Sequence, residues 1–211
     1  MKNLNLLIKP ASSSCNLRCR YCFYHDVADN RKIPNYGIMS DSTLENMVKN
    51  AFQTAENSIN FAFQGGEPTC AGIEFFNKFH NFVEKYNINN IMVNFSLQTN
   101  GTLINKDWIT LFKKYNYLVG LSIDGNREIH DKFRLDIQGN GTFRKVLKTA
   151  KDLSKAGVAL PVLYRSGAYG FSSGRDCSRS ASQRSLVLRF GSTGPVLLNS
   201  NFGASRLYCL G

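Results

Sequence analysis

Apolar positions along the first 160 residues fall into two alternating patterns. Short apolar runs bounded by polar or turn residues occupy positions 5–9, 59–64, 91–98 and 117–123, and read as strands. A further run at 158–163 opens a fifth. Between them the spacing changes to a 3.6-residue period. Leu44, Met47, Val48, Ala51, Phe52 and Ala55 line one face of a helix over 41–56, capped by Ser40 or Asp41. Phe75, Phe79, Phe82, Val83 and Tyr86 share a face of a second helix. Asn105 caps a third that carries Trp108, Ile109, Leu111, Phe112 and Tyr115. A fourth spans 142–155 through Phe143, Val146, Leu147, Ala150 and Leu153, and stops at Gly157.

Repeated strand–helix units of this length predict an α/β fold with a parallel sheet. Three strands run into polar or glycine-containing turns: Gln64-Gly65-Gly66, Gln98-Thr99-Asn100-Gly101 and Asp124-Gly125. Ligands of parallel α/β folds sit at such carboxyl ends. Each turn alone is ordinary; three in succession favour one shared site.

The pattern breaks near residue 160. Residues 161–211 contain no Lys or Ile, are rich in Ser, Gly and Arg, and carry Asp176 as their one acid. We read residues 1–160 as one unit and 161–211 as an atypical tail, either a frameshifted reading or a flexible Ser/Gly/Arg segment. The tail accounts for much of the formal charge of +11. The remaining Lys and Arg are spread along helix faces, so we expect no nucleic-acid partner. No apolar run approaches the ~20 residues of a membrane span. The four aliphatic residues after Lys2 are too few for a signal-peptide core, so a cytoplasmic protein without a membrane partner is expected.

Three of the six cysteines, Cys15, Cys19 and Cys22, crowd into eight residues just after the first strand. That spacing suits metal ligation better than a disulfide framework. Three thiolates hold three irons of a [4Fe–4S] cluster and leave the fourth iron open to an exogenous ligand. A Cys3His zinc site completed by His25 is the alternative, although zinc sites usually use two spaced ligand pairs. Cys70 reads as a small buried hydrophobe. His80 and His130 read as structural, and no role is assigned to Cys177 or Cys209.

The cysteine spacing, with Tyr21 before the last Cys, resembles the signature of radical S-adenosylmethionine enzymes. The segments KPASSSCNLRCRYCFYH, FAFQGGEPT, SLQTNGTLI, VGLSIDG and EIHDKFR resemble, in order and spacing, the anaerobic sulfatase-maturating enzymes over about residues 6–157. Ser14 stands where that family more often has Gly.

The resemblance implies a partial (β/α)6 TIM-like barrel, ending here after four or five strands. It implies Cys15, Cys19 and Cys22 as cluster ligands, with S-adenosylmethionine on the open iron. Tyr21, Gly66, Ser122 and Arg134 would bind that cofactor: Tyr21 at the adenine, Gly66 at the methionine amino group, Ser122 at the ribose or carboxylate, Arg134 at the carboxylate. Tyr24, Gln64, Gln98 and Asp124 would line the substrate pocket. The implied reaction is oxidation of a Cys or Ser of a sulfatase polypeptide to formylglycine, fed by an electron donor such as flavodoxin or ferredoxin. The family's catalytic acid lies beyond the matching region, so no catalytic base is assigned. The alternatives are a thioether-forming peptide-modifying enzyme of the same superfamily, or a non-catalytic iron–sulfur or zinc-binding protein.

Overall fold

Buried positions alternate along the second strand, where Ile59, Phe61 and Phe63 turn one face into the core. The computed structural model describes residues 2–160 and 162–164. Its strands are β1 (Asn3–Ile8), β2 (Ser58–Phe63), β3 (Met92–Thr99), β4 (Leu118–Ile123) and β5 (Val162–Tyr164). They form one sheet in the order β1-β2-β3-β4-β5, every neighbouring pair parallel. Each connection carries helix, as parallel pairing demands: α1 (Phe23–Asp29) and α2 (Asp41–Thr54), then α3 (Ile73–Tyr86), α4 (Lys106–Lys114), and finally α5 (Arg127–Phe133) with α6 (Phe143–Lys155).

The helices cover one face of the sheet with aromatic side chains. Phe61 meets Phe79 edge-on at 5.1 Å, and Phe63 contacts Phe76 at 4.9 Å. Each buried ring contributes roughly 2–3 kcal/mol through area removed from water. Ser40 is the N-cap of α2, its hydroxyl accepting the Thr43 N–H at 3.2 Å, a bond typically worth about 1 kcal/mol.

The opposite face is polar. Asn5, Asn60 and Asn94 stand in register across three strands, with Asn94 donating to Asn60 at 2.7 Å. Following the two-residue period toward the carboxyl ends, the same parity brings Gln64, Gln98, Ser122 and Asp124 to one rim.

The predicted strands and helices lie where the periodicity places them, with shifted ends. β1 starts at Asn3, and β5 begins at Val162 after a parallel bridge at Ala159. The short helices α1 and α5, seven residues each, were not expected. Among the described residues no helix is long and apolar enough to cross a membrane. The tail reading falls outside the described residues, apart from 162–164. Cys177 and Cys209 lie outside as well, as does the His25 side chain.

Candidate functional site

The loop after β1 is a serine turn that delivers the cysteines. Ser12 takes a left-handed conformation, φ 55°, while Ser14 does not, so serine in place of glycine at 14 brings no strain. The segment 34–36 covers the turn. Ser13 donates to the Pro34 carbonyl at 2.7 Å, Asn35 donates to Ser14 Oγ at 2.8 Å, and Tyr36 N–H donates to Ser12 Oγ at 3.1 Å.

The Gly65-Gly66-Glu67-Pro68 turn packs directly on this loop. Gly66 has φ +57°, and a Cβ there would run into the Ser14 carbonyl. That carbonyl instead accepts the Glu67 N–H at 2.8 Å. Gly66 is thus required by the contact between the two loops as well as lying on the cavity wall.

Cys15, Cys19 and Cys22 line one cavity of about 350 Å³, together with Tyr21, Tyr24, Gln64, Gly66, Gln98 and Arg134. All three are free thiols. Burial pushes the Cys15 thiol pKa up and that of Cys19 to about 11, and the neighbouring cysteines add to both shifts. The Arg134 guanidinium acts in the opposite sense on Cys19. Cys15 also receives the Leu17 N–H at 3.4 Å and the Asn100 side-chain N–H at 3.8 Å.

Soft thiolates on one open cavity fit a [4Fe–4S] cluster. Among the described residues, no three Cys, His, Asp or Glu side chains gather tightly enough to share a single metal ion. A cubane asks for a wider set, with each thiolate on a separate iron.

Arg134 sits at the C-cap of α5, 14% exposed. Its Nε donates to Asp124 Oδ2 at 2.8 Å and its Nη2 to Oδ1 at 3.3 Å. The same carboxylate accepts a short hydrogen bond from Tyr21, whose ring lies 5.4 Å from the guanidinium. Burial works against the Arg134 charge, yet Asp124 outweighs it and raises the pKa. For Tyr21 burial dominates and raises the phenol. Asp131 and Asp136, the other acids near Arg134 in sequence, bind elsewhere: Asp131 takes Arg127 and the Phe143 N–H, and Asp136 closes its own turn with Asn140.

Ser122 does not line the cavity; it accepts a hydrogen bond from Gln98 Nε2 at 2.9 Å. Gly120 makes that reach possible, because a Cβ there would collide with the Gln98 amide. Asp124 is also off the wall, 4% exposed and tied to Arg134 and Tyr21. Tyr24 receives a hydrogen bond from Gln64 at 3.3 Å, and the Lys9 ammonium lies 4.8 Å from its ring centre. Cys70 is half-buried rather than fully buried, in the short helical turn Pro68–Ala71.

Glu67 and Asn100 carry structural duties that sequence reasoning passed over. Glu67 is 1% exposed and accepts hydrogen bonds from Thr69, Thr99 and Asn100, which joins the turns after β2 and β3. Asn100 turns its carbonyl to Thr102 and its amide to Asn16 and Cys15. An acid between two glycines and a proline, at the end of an apolar strand, was the available signal for Glu67.

The Radical SAM superfamily profile matches residues 10–165. The cysteine-type anaerobic sulfatase-maturating enzyme of Clostridium novyi is 55% identical over 163 residues, 77% of this chain and 44% of that protein. The serine-type enzyme of Klebsiella aerogenes is 37% identical over 147 residues, 68% of this chain and 35% of its own length. A solved structure described as native anSMEcpe with bound AdoMet superposes with a TM-score of 0.73 at 50% identity, covering 76% of this chain and 44% of that one. A second, of the same protein with AdoMet and the Cp18Cys peptide, gives 0.72 at 48% identity over 77% of this chain and 43% of that one. The chain thus spans less than half the length of each of these relatives.

Proposed function

The chain belongs to the radical SAM superfamily, and on that premise we propose that it serves anaerobic sulfatase maturation, oxidising a Cys or Ser side chain of a sulfatase polypeptide to formylglycine. The observation that carries this reading is the convergence of Cys15, Cys19, Cys22 and Arg134 on one cavity at the carboxyl ends of a parallel sheet. When bound, a [4Fe–4S] cluster held by Cys15, Cys19 and Cys22 would supply one-electron chemistry, and S-adenosylmethionine the radical route to hydrogen abstraction.

The chain's own residues hold and orient. Cys15, Cys19 and Cys22 bind three irons as thiolates. Loading therefore releases protons, and the burial that raises the Cys15 and Cys19 thiols opposes that release. Arg134 binds the cofactor carboxylate; Asp124 takes its Nε–H and one Nη2–H, which leaves both Nη1 hydrogens and the second Nη2–H to donate. Tyr21 contacts the adenine and Gly66 gives its backbone to the methionine amino group. Ser122, which stands off the cavity wall, acts through Gln98, whose amide it anchors there. Tyr24 and Gln64 form the wall nearest the target side chain, with Gln98 and Asp124 supporting it. The electron comes from a flavodoxin or ferredoxin, in a reducing cytoplasm that also keeps the thiols free.

The test is an anaerobic incubation of the reconstituted chain with S-adenosylmethionine, reductant and a sulfatase-derived peptide carrying the target Cys, followed by aldehyde trapping. A trapped aldehyde at that position is the expected result. A thioether crosslink in a leader-bearing peptide, with no aldehyde in the sulfatase peptide, would replace this reading with the other peptide-modifying chemistry.

A further inference from the structure

His130 is fully buried midway along α5, and both ring nitrogens and its carbonyl are committed around Arg134. Its Nδ1 lies 3.3 Å from the Asp124 backbone nitrogen. A backbone N–H only donates, so Nδ1 accepts and the ring proton sits on Nε2. Burial, with Arg134 nearby, keeps the ring pKa below its ordinary value, which agrees with a neutral imidazole. Nε2–H then donates to Thr142 Oγ1 at 3.0 Å. The Thr142 hydroxyl passes its own hydrogen to the Arg134 carbonyl at 2.9 Å. The His130 carbonyl accepts the Arg134 N–H at 2.8 Å. Asp124, whose backbone N–H His130 accepts, grips the Arg134 guanidinium.

Both backbone polar groups of Arg134 and its side chain therefore trace back to one histidine. A single tautomer satisfies the whole ring. Thr142 supplies an independent indication. It occupies the N-cap of α6, yet its side chain makes no capping bond. A threonine cap is typically worth about 1 kcal/mol, and here the hydroxyl is turned to the ring instead. The Phe143 N–H goes to Asp131 at 2.8 Å.

The ring is coupled to the cysteine loop. Arg18 N–H donates to the Leu135 carbonyl at 2.8 Å, and Arg20 N–H to the Phe133 carbonyl at 2.9 Å. Cys19 and Arg134 are each bracketed by these two bonds, so a displacement of Arg134 is a displacement beside a cluster ligand.

We propose that His130, acting through Thr142 and Asp124, is a positioning residue that fixes the Arg134 guanidinium at the cysteine site and thereby sets the affinity for S-adenosylmethionine. The proposal rests on the reading of Arg134 as the contact for the cofactor carboxylate.

The experiment measures S-adenosylmethionine binding to the full reconstituted chain by equilibrium dialysis, and the change in the reduced-cluster EPR spectrum on its addition. Thr142→Val keeps the shape and removes the hydroxyl. With iron content unchanged, its Kd is expected to rise about tenfold, and Thr142→Ser is expected to restore most of the affinity. Arg134→Ala separates the role of His130 from that of Arg134. If Arg134→Ala weakens binding while folded, iron-loaded Thr142→Val binds like wild type, the positioning role is overturned and the Arg134 reading stands. If Arg134→Ala binds like wild type, the Arg134 reading falls and this proposal with it. Should Thr142→Val fail to fold, His130→Gln, which keeps the Nε2 donor and loses the Nδ1 acceptor, takes its place. Weakened binding at full iron supports the proposal, and wild-type Kd and spectrum overturn it.

Discussion

Glu67 Oε2 accepts the Asn100 backbone N–H at 2.7 Å, and this bond joins the turn after β2 to the turn after β3. The other oxygen collects three more: Thr69 N–H at 3.1 Å, Thr69 Oγ1 at 2.6 Å and Thr99 Oγ1 at 2.7 Å. All four partners donate. Glu67→Gln would set an amide NH2 against donors and leave buried groups unpaired, which costs about 1–3 kcal/mol. Urea denaturation reads this as a lower midpoint with an unchanged slope. A variant as stable as wild type would mean that the carboxylate is not what joins the turns.

Gly66→Ala is expected to act on the cysteine loop rather than on the fold at large. A non-glycine residue at φ +57° costs roughly 1–2 kcal/mol. The new methyl also pushes on the Ser14 carbonyl, one residue before Cys15. We expect lower iron and sulfide content after reconstitution, with the circular dichroism of the sheet and helices retained. Full loading would show that the two loops part without disturbing the ligands.

His80 makes the fold acid-sensitive. It is buried in the core, with Nε2 on the Tyr117 hydroxyl at 2.9 Å and its ring stacked on Tyr115. Burial, helped by the Lys114 charge, lowers its pKa from 6.5 to about 3. The unfolded chain therefore takes up a proton as pH falls below about 6.5, and the native state does not. Stability is full above that pH and is lost progressively on acidification toward about 3. Between pH 7.5 and 5.5 the loss from His80 is about 1.4 kcal/mol. Denaturation at the two pH values should show this slope in wild type and a shallower one in His80→Phe. Equal slopes would remove His80 as the cause.

What the sequence reveals follows from the range of the forces involved. The strands and longer helices are legible because a buried face imposes its period on neighbouring positions, as Phe61 and Phe63 do in β2. Helices α1 and α5 are only two turns long, too short for an apolar period to announce them. The candidate ligands Cys15, Cys19 and Cys22 are legible because their spacing is local. The turns that begin at Gln64, Gln98 and Asp124 are legible as one shared rim because each ends a strand. Their pairings are not. Asp124 reads as a pocket residue, yet it is the counter-ion of Arg134 and the acceptor for Tyr21, three positions that only the folded loops bring together. His130 and Thr142 are twelve residues apart, and nothing in their local pattern predicts the ring that they close.

Reductive cleavage of S-adenosylmethionine by this chain would depend on Cys15, Cys19 and Cys22. The measurement is 5′-deoxyadenosine formed after anaerobic reconstitution with iron and sulfide and reduction by dithionite in the presence of S-adenosylmethionine. Wild type is expected to form 5′-deoxyadenosine, and each of Cys15→Ala, Cys19→Ala and Cys22→Ala to lose it. Folded wild-type protein that assembles no cluster, or that forms 5′-deoxyadenosine equally well without these thiols, would contradict that dependence.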